Sequence, residues 1–174
     1  GAVRSAASRG NISVMQGTIE EWAPMLTDRS YDFILLSSLL HEISDSEALL
    51  NAVSILCNDE TIVHVNVPNA NSFHRLLALE MGLIGDVHEV SPVQMRMQQS
   101  HTFDQHTLRA LMEKHRFSVV ESGTFFLKPF THAQMAELYA SGFVTDLMLD
   151  GLYRLCDHFP DNGSEIFLNA KRQG

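Results

Sequence analysis

A short apolar run that ends abruptly in two serines is the feature that most restricts what this chain can fold into. Residues 33–36 read Phe-Ile-Leu-Leu, and Ser37 and Ser38 follow directly. An uninterrupted run of this length is typical of a parallel strand that is covered on both faces. In open α/β sheets, ligands bind just beyond the carboxyl ends of such strands. The sequence therefore predicts a buried strand with a ligand-facing turn, and the titratable pair His41 and Glu42 lies close behind it.

Helical and extended patterns alternate on either side of this run. Ser44 begins a capping-box pattern, and the apolar residues after it recur at helical spacing, which predicts a helix over residues 45–57. Residues 61–67 predict the next strand. Strand, helix and strand in this order indicate a right-handed parallel crossover. An alternating segment at residues 12–16 predicts an earlier strand, followed by a short helix capped by Thr18.

The second half of the chain predicts more helices and a hairpin at the sheet edge. Strands at residues 117–126 and 165–171 are placed to pair antiparallel, with a helical insertion over residues 131–158 between them. Gly123 interrupts the first of these strands and indicates a bend. The whole chain, residues 1–174, is therefore predicted to form one α/β domain. Further helices are predicted to begin near residues 71, 92, 105, 131 and 145.

Composition and charge limit the classes of function. The 174 residues carry a formal net charge of −9, which disfavours nucleic acid as the main partner. The sequence contains no apolar stretch near the roughly 20 residues that a membrane span needs. Cys57 and Cys156 fall inside apolar helical patterns and are predicted to be reduced. We expect a cytoplasmic protein that binds neither nucleic acid nor membrane.

The nine histidines raise the question of a metal site. His41 and Glu42 begin like the H-E-x-x-H zinc motif, but the fifth position is Asp45. His101 and His106 are five residues apart, which does not place them on one helix face. No metal site is therefore predicted.

Six segments together carry a resemblance to a known family. They resemble the class I S-adenosylmethionine-dependent methyltransferases, in their small-molecule methyltransferase-domain branch. The resemblance implies a Rossmann-like sheet, with strand order 3-2-1-4-5-7-6 and an antiparallel C-terminal edge hairpin, and S-adenosylmethionine as the cofactor. The matching segments are residues 12–22, 31–43, 67–69, 101–114, 117–121 and 165–172.

Two diagnostic elements of that family do not occur in this sequence. One is the first strand with its glycine-rich cofactor turn, and the other is the second strand with the acidic residue that holds the ribose. Without strands 1 and 2, the strands at residues 12–16 and 33–36 are left about 14 Å apart at the usual spacing. Open strand edges invite pairing. We therefore expect either the C-terminal part of a longer enzyme or a homodimer, and a chain that is inactive alone.

The resemblance assigns the adenine end of the cofactor to the turn after residues 12–16. Gly17, Thr18, Ile19 and Glu20 occupy this turn, where the family usually has an acidic residue. Threonine stands in its place here, and Glu20 is the candidate substitute. The competing interpretation is that Thr18 only caps a helix.

The resemblance also places Ser37 and Ser38 against the methionine part of the cofactor, and it places His41 beside the acceptor. Methyl transfer is an in-line displacement, so catalysis mainly holds the acceptor about 3–3.5 Å from the methyl group. A histidine near neutrality can remove the proton of an oxygen acceptor. We therefore predict His41 as the base, with packing of the turn as the alternative role.

Candidate substrate contacts are Glu42, His88 and His101, which lie in or beside loops predicted to cover the acceptor. The methionine-rich stretch at residues 95–97 suits an apolar acceptor, a helix core or a dimer seam equally well. Amine acceptors in nucleic acid or protein are often served by a [D/N/S]-P-P-[Y/F] turn, which the resemblance would place at residues 37–40. These residues read Ser-Ser-Leu-Leu here, so oxygen is the preferred acceptor atom.

Two other classes of function compete with a small-molecule methyltransferase. The first is a non-catalytic methyltransferase-like subunit or oligomerisation module. The second is a different nucleotide-binding α/β protein, which is disfavoured because the sequence contains no phosphate-binding glycine loop.

Overall fold

Four strands form a single mixed sheet in the computed structural model, which describes residues 12–90, Met95 and residues 101–174. The strands are β1 Phe33–Ser37, β2 Ile62–Pro68, β3 Phe117–Phe125 and β4 Glu165–Arg172. The helices of the described residues are α1 Ile19–Trp22, α2 Ser46–Leu56, α3 Phe73–Glu80, α4 Gln105–Lys114, α5 His132–Ala140 and α6 Asp146–Arg154, with 3-10 turns at Ala23–Met25 and Leu155–Asp157.

The strand order is β1-β2-β4-β3. Strands β1 and β2 are parallel, whereas β4 runs antiparallel to both β2 and β3. This order corresponds to the 4-5-7-6 part of the expected sheet, so the Rossmann-like fold with its antiparallel edge hairpin is confirmed. Helices α5 and α6 lie between β3 and β4, inside the predicted helical insertion.

One face of the sheet packs against α2 and α4 and forms the main core. Leu50 and Val53 of α2 meet Leu108 and Met112 of α4 and Phe117 of β3, and all five side chains are fully buried. Their spacing places them on the inward stripe of each helix. Burial of each such side chain stabilises the fold by about 1.5–3 kcal/mol. The packed core therefore holds the strands in place, and with them the strand ends that carry the candidate site.

The prediction that β1 is covered on both faces is wrong. Phe33 and Leu35 are each 66% exposed, and Leu36 is the buried residue of the strand. Successive side chains of a strand point to opposite faces. Among the described residues, the face that carries Phe33 and Leu35 has no helix packed on it, and β1 pairs only with β2.

The predicted strand at residues 12–16 is also wrong. These residues are exposed and adopt no regular structure. An alternating pattern becomes a strand only when a neighbouring edge offers hydrogen bonds, and no described strand lies beside β1 on its outer side. The following helix is confirmed, with Thr18 as the N-cap of α1.

Two local predictions are corrected by the backbone. The N-cap of α2 is Asp45 and not Ser44, because the Asp45 Oδ1 atom accepts from the Ala48 N–H at 2.9 Å. The irregularity in β3 lies between Val119 and Glu121 and not at Gly123. The helix predicted near residue 92 lies largely outside the described residues.

Gly123 has a packing role instead of a bend. A Cβ atom at this position would lie 2.9 Å from Cε1 of Phe167 on the neighbouring strand. The missing side chain therefore makes room for the Phe167 ring.

Both cysteines are free thiols, as predicted. Within the described part of the chain, none of the helices is long and apolar enough to cross a membrane.

Candidate active site

A cavity of about 760 Å³ opens at the edge of the sheet where β1 and β2 end. Pro68, the last residue of β2, and Asn69 and Ala70 after it form part of the wall. Because β4 is antiparallel, its first residue, Glu165, lies at the same edge, and Lys128 follows the end of β3 there. The volume falls within the range of small-molecule sites. The remaining lining residues are His41, His74, Arg75, Ala78, Ile84, His101, Thr102, Thr131, His132, Ala133 and Ser164.

Asn69 fastens the two turns that carry this wall. Its side chain is 2% exposed, and its amide donates to the carbonyls of Asp161 at 2.9 Å and Gly163 at 2.8 Å. Its own N–H donates to the Ser164 carbonyl at 3.0 Å. A buried amide is expensive unless it is hydrogen-bonded, so these bonds fix the end of β2 against the start of β4.

Gly163 allows the close approach that Asn69 requires. A Cβ atom at Gly163 would lie 2.5 Å from the Thr124 hydroxyl oxygen and 2.7 Å from the Phe125 nitrogen. Backbone cannot move aside as a flexible side chain can, so this turn requires glycine.

His41 is the most buried titratable residue of the cavity wall. It is 4% exposed and follows Leu40, which is fully buried. Its Nδ1 atom is buried without a hydrogen-bond partner among the described residues. Burial lowers the pKa of His41, although Glu42 and Glu165 act in the opposite direction. The imidazole is therefore neutral near pH 7, and His41 combines a place on the cavity wall with a buried, unpaired Nδ1 atom.

Two of the three predicted substrate contacts lie beside His41. The Oε1 atom of Glu42 is 3.8 Å from the His41 Nε2 atom, and the Glu42 side chain is about half exposed. The His101 N–H donates to the His41 carbonyl at 3.4 Å, and the His101 ring stacks on Phe103 with centroids 6.2 Å apart. His101 lines the cavity, whereas Glu42 flanks it.

The third predicted contact, His88, lies apart from the cavity lining. Its Nε2 atom is 3.3 Å from the Oδ2 atom of Asp104, the residue that caps α4. The His88 carbonyl accepts from the Thr102 hydroxyl at 2.9 Å. His88 thus holds the loop behind Thr102, which itself lines the cavity.

Ser37 and Ser38 lie at the carboxyl end of β1 and are both exposed. Ser38 adopts a left-handed backbone with φ of 50°, and its N–H donates to the Asn66 carbonyl at 2.9 Å. Neither serine lines the cavity that contains His41. Ser37 faces the open side of the sheet, next to Leu35 and Asn66. The predicted donor contacts at these serines therefore lie outside the cavity that contains His41.

The predicted adenine segment forms the start of α1. The Thr18 hydroxyl accepts from the Glu21 N–H at 3.4 Å and the Glu21 carboxylate accepts from the Thr18 N–H at 3.0 Å, so Thr18 is a helix cap. Gly17 has φ of 134°, a conformation that favours glycine. Ile19 and Glu20 are half-buried, and Ile19 packs against the core. Their contact with adenine stays a prediction.

Sequence reasoning missed His74 of α3, which lines the cavity. Its Nδ1 atom is buried without a hydrogen-bond partner among the described residues. Burial, together with the nearby cations Lys128 and Arg75, lowers the pKa of His74 to about 4. His74 is therefore neutral at physiological pH.

Lys128 and Glu165 were missed as well. Burial lowers the pKa of Lys128, and Glu165 partly offsets this effect. The Glu165 carboxylate accepts from the Asn66 amide at 3.3 Å. Both residues could have been predicted from the directions of the strands. The end of β3 and the start of β4 lie at the same sheet edge as the carboxyl ends of β1 and β2. No comparable signal distinguished His74 from other helical positions.

The described residues contain no group of histidine, cysteine or carboxylate side chains arranged to hold a metal ion.

The amino-acid sequence matches the model of a protein family described as a methyltransferase domain, over residues 4–122. This range is more than half of the chain. No match is found among curated proteins.

Solved structures of methyltransferases have a similar fold. A SAM-dependent methyltransferase from Archaeoglobus fulgidus is 14% identical with a TM-score of 0.52, and the superposition covers 94% of this chain and 69% of that one. A SAM-dependent methyltransferase from Thermotoga maritima, described as a possible histamine N-methyltransferase, is 16% identical with a TM-score of 0.59, covering 98% and 68%. The chain thus spans about two thirds of each neighbour.

Proposed function

We propose that this chain, which belongs to the methyltransferase-domain family of class I S-adenosylmethionine-dependent enzymes, supplies the acceptor side of an enzyme that methylates a small molecule. The methyl donor of the family is S-adenosylmethionine. The acceptor binds in the cavity at the ends of β1 and β2, and a hydroxyl oxygen of the acceptor receives the methyl group.

The observation that carries this proposal is the state of His41. It is buried, it lines the cavity, and its Nδ1 atom has no partner among the described residues. A neutral imidazole on the cavity wall can accept the proton that a hydroxyl loses as its oxygen attacks the methyl group, once a ring nitrogen faces that hydroxyl. Glu42, 3.8 Å from Nε2, then stabilises the imidazolium that forms.

The described residues fit one side of a donor site. Ser37 and Ser38 are exposed at the carboxyl end of β1, where ligands bind in open α/β sheets, and their hydroxyl and backbone groups are suited to the amino-acid part of the donor. Gly17, Thr18 and Glu20 are the candidates for the adenine end. When bound, the donor supplies an activated methyl group. The residues of this chain hold it and orient the acceptor.

The preference for oxygen over nitrogen rests on the same histidine. An alcohol must lose its proton during or before the attack, so it benefits from a base of near-neutral pKa. A neutral amine attacks through its lone pair and needs less help. The name of the Thermotoga neighbour refers to an amine. The experiment must therefore distinguish an alcohol acceptor from an amine acceptor.

A non-catalytic module, the competing hypothesis, is not favoured. A subunit that serves only to associate has no need of a cavity of about 760 Å³ with a buried, unpaired histidine nitrogen. An unsatisfied buried polar atom costs stability, so its presence is better explained by a ligand.

The test begins with a calorimetric titration of the chain with S-adenosylmethionine and its demethylated product. Methyl transfer is then measured in the protein expressed from the complete gene, with radiolabelled donor and matched pairs of small alcohols and amines. We expect transfer to alcohols, and an activity lower by on the order of 100-fold or more in His41→Gln. Transfer to amines alone, or full activity of His41→Gln, would refute the proposed acceptor and base.

A further inference from the structure

We propose, on the premise of the function proposed above, that the acceptor carries an anionic group, a carboxylate or a phosphate, which binds at the Lys128 end of the cavity. The acceptor is thus a hydroxy acid or a hydroxylated phosphate ester. Its hydroxyl faces His41 and its anion faces Lys128.

The distribution of charge is the first support. The chain has 12 lysines and arginines against 21 aspartates and glutamates. Among the described residues, the cavity wall reverses this balance, because it contains the cations Lys128 and Arg75 and only one carboxylate, that of Glu165. A concave surface of one sign inside a protein of the opposite sign concentrates ligands of complementary charge.

Lys128 itself is the second support. Its side chain is half-buried, so burial already disfavours its charge. Among the described residues, it makes no hydrogen bond within 3.5 Å and no ion pair within 4 Å. Glu165 attracts it at longer range, but the Glu165 carboxylate accepts its hydrogen bond from the Asn66 amide. A partly desolvated ammonium without a close partner is costly, and an anionic ligand would supply that partner.

The surroundings of Lys128 favour the same occupant. His74, with its buried and unpaired Nδ1 atom, lies close enough for Lys128 to lower its pKa. The first turn of α5, with Thr131 and His132, also lines this part of the wall, and its backbone dipole adds positive potential. Lys128 and the start of α5 together make this part of the wall favourable for an anion.

Glu165 connects the two ends of the cavity. Its charge raises the pKa of both His41 and Lys128, against the effect of burial. Both groups therefore lie within electrostatic reach of one carboxylate. A small ligand in the cavity can therefore contact both groups.

His74 reports on this end of the cavity without any enzymatic turnover. We would label the histidines with carbon-13, assign the His74 resonance by its loss in His74→Gln, and titrate inorganic phosphate or trifluoroacetate, a form of acetate that stays ionised near pH 4, at constant ionic strength. An anion that pairs with Lys128 reduces the positive field on His74, so the pKa of His74 rises. Lys128→Met should raise that pKa without any anion and should abolish the response to anions.

Lys171→Met is the matched control. Lys171 lies on β4 and pairs with Glu60 on the surface, so this variant should respond to anions as the unmodified chain does. The larger response, to phosphate or to acetate, identifies the type of anion. If neither anion shifts the pKa of His74 at a concentration of about 50 mM, which is far above a millimolar dissociation constant, the inference is wrong. An equal shift in Lys128→Met also overturns it.

The transfer assay separates this inference from the proposed function. Hydroxy acids should be methylated at least about tenfold more efficiently than the corresponding hydroxy amides, and Lys128→Met should remove that preference. If amides and acids are methylated equally, the anion site is wrong while the methyltransferase function stands. If phosphate or acetate shifts His74 but no alcohol is ever methylated, the anion site stands while the proposed function fails.

Discussion

The Nε2 atom of His41 lies 3.8 Å from the Oε1 atom of Glu42, yet the pKa of His41 is below its ordinary value. A carboxylate at this distance favours the imidazolium. Because Glu42 is about half exposed, water screens its charge, and the burial of His41 outweighs it. His41 is therefore neutral near pH 7 in spite of the nearby carboxylate.

His41→Gln should reduce kcat/KM for an alcohol acceptor by on the order of 100- to 10,000-fold, because the proton acceptor is lost. In the unmodified enzyme, the acidic limb of the profile of kcat/KM against pH should lie below about pH 6.5, since burial lowers the pKa of the base. His106→Gln is the control, because His106 is exposed on α4. A limb that stays in place in His41→Gln would assign it to another group.

The partly buried His74 should make the fold sensitive to acid. Its pKa is about 4 in the folded chain and about 6.5 in an unfolded one. The unfolded state therefore binds the proton first, and the free energy of unfolding falls as the pH drops from about 6.5 to about 4. The loss between about pH 7.5 and about pH 5 should be at most about 2 kcal/mol.

Urea denaturation at those two pH values measures this loss. In His74→Gln the part due to His74 should disappear, whereas His106→Gln should retain it. An unchanged pH dependence in His74→Gln would mean that other groups cause the acid sensitivity.

Three glycine-to-alanine changes should differ in sign and size. Gly163→Ala places a Cβ atom 2.7 Å from the Phe125 backbone nitrogen, and should cost about 1–3 kcal/mol or more. Gly123→Ala meets the Phe167 ring, which can shift, and should cost less. Gly151→Ala in α6 meets open space, and should stabilise the helix by about 0.5–1 kcal/mol. Thermal unfolding of the three variants gives the order, and an equal effect of all three would contradict the packing at Gly163.

The open edge of β1 should make this chain self-associate. Phe33 and Leu35 are each 66% exposed on a strand whose outer edge is unpaired among the described residues. An exposed apolar face beside an unpaired strand edge favours pairing with a second copy of the same chain. Sedimentation velocity should show a concentration-dependent dimer, and Leu35→Lys should weaken it.

Ile55→Lys is the comparison for that experiment. Ile55 is 54% exposed on α2, away from the β1 edge, so the dimer should persist in this variant. A monomer at all concentrations, or equal weakening by both changes, would exclude pairing through β1.

The order of the elements and the sheet were predictable because local patterns specify them. Capping residues such as Thr18, Asp104 and Thr131 lie where the sequence places them, and strand β2 follows its alternating pattern of burial. These features depend on neighbours within a few residues. Side-chain periodicity and capping therefore sufficed.

The failures concern features that depend on distant partners. Residues 12–16 have a strand-like pattern, but a strand needs an adjacent edge. The apolar run in β1 predicted coverage on both faces, yet apolar composition alone does not show what lies opposite. Likewise, His74 and Lys128 join His41 in one cavity only because α3 and the end of β3 meet the same sheet edge. No local sequence pattern indicates that these elements come together.

Strand β4 comes last in the chain but lies between β2 and β3 in the sheet. During synthesis, β2 and β3 emerge first and cannot pair with each other, because the strand that joins them is still inside the ribosome. The contact between Asn69 and the turn at Gly163 likewise waits for a segment more than 90 residues downstream. The cavity therefore forms only after β4 has been synthesised. A chain terminated before residue 165 would expose two unpaired strand edges, which chaperones and proteases can bind.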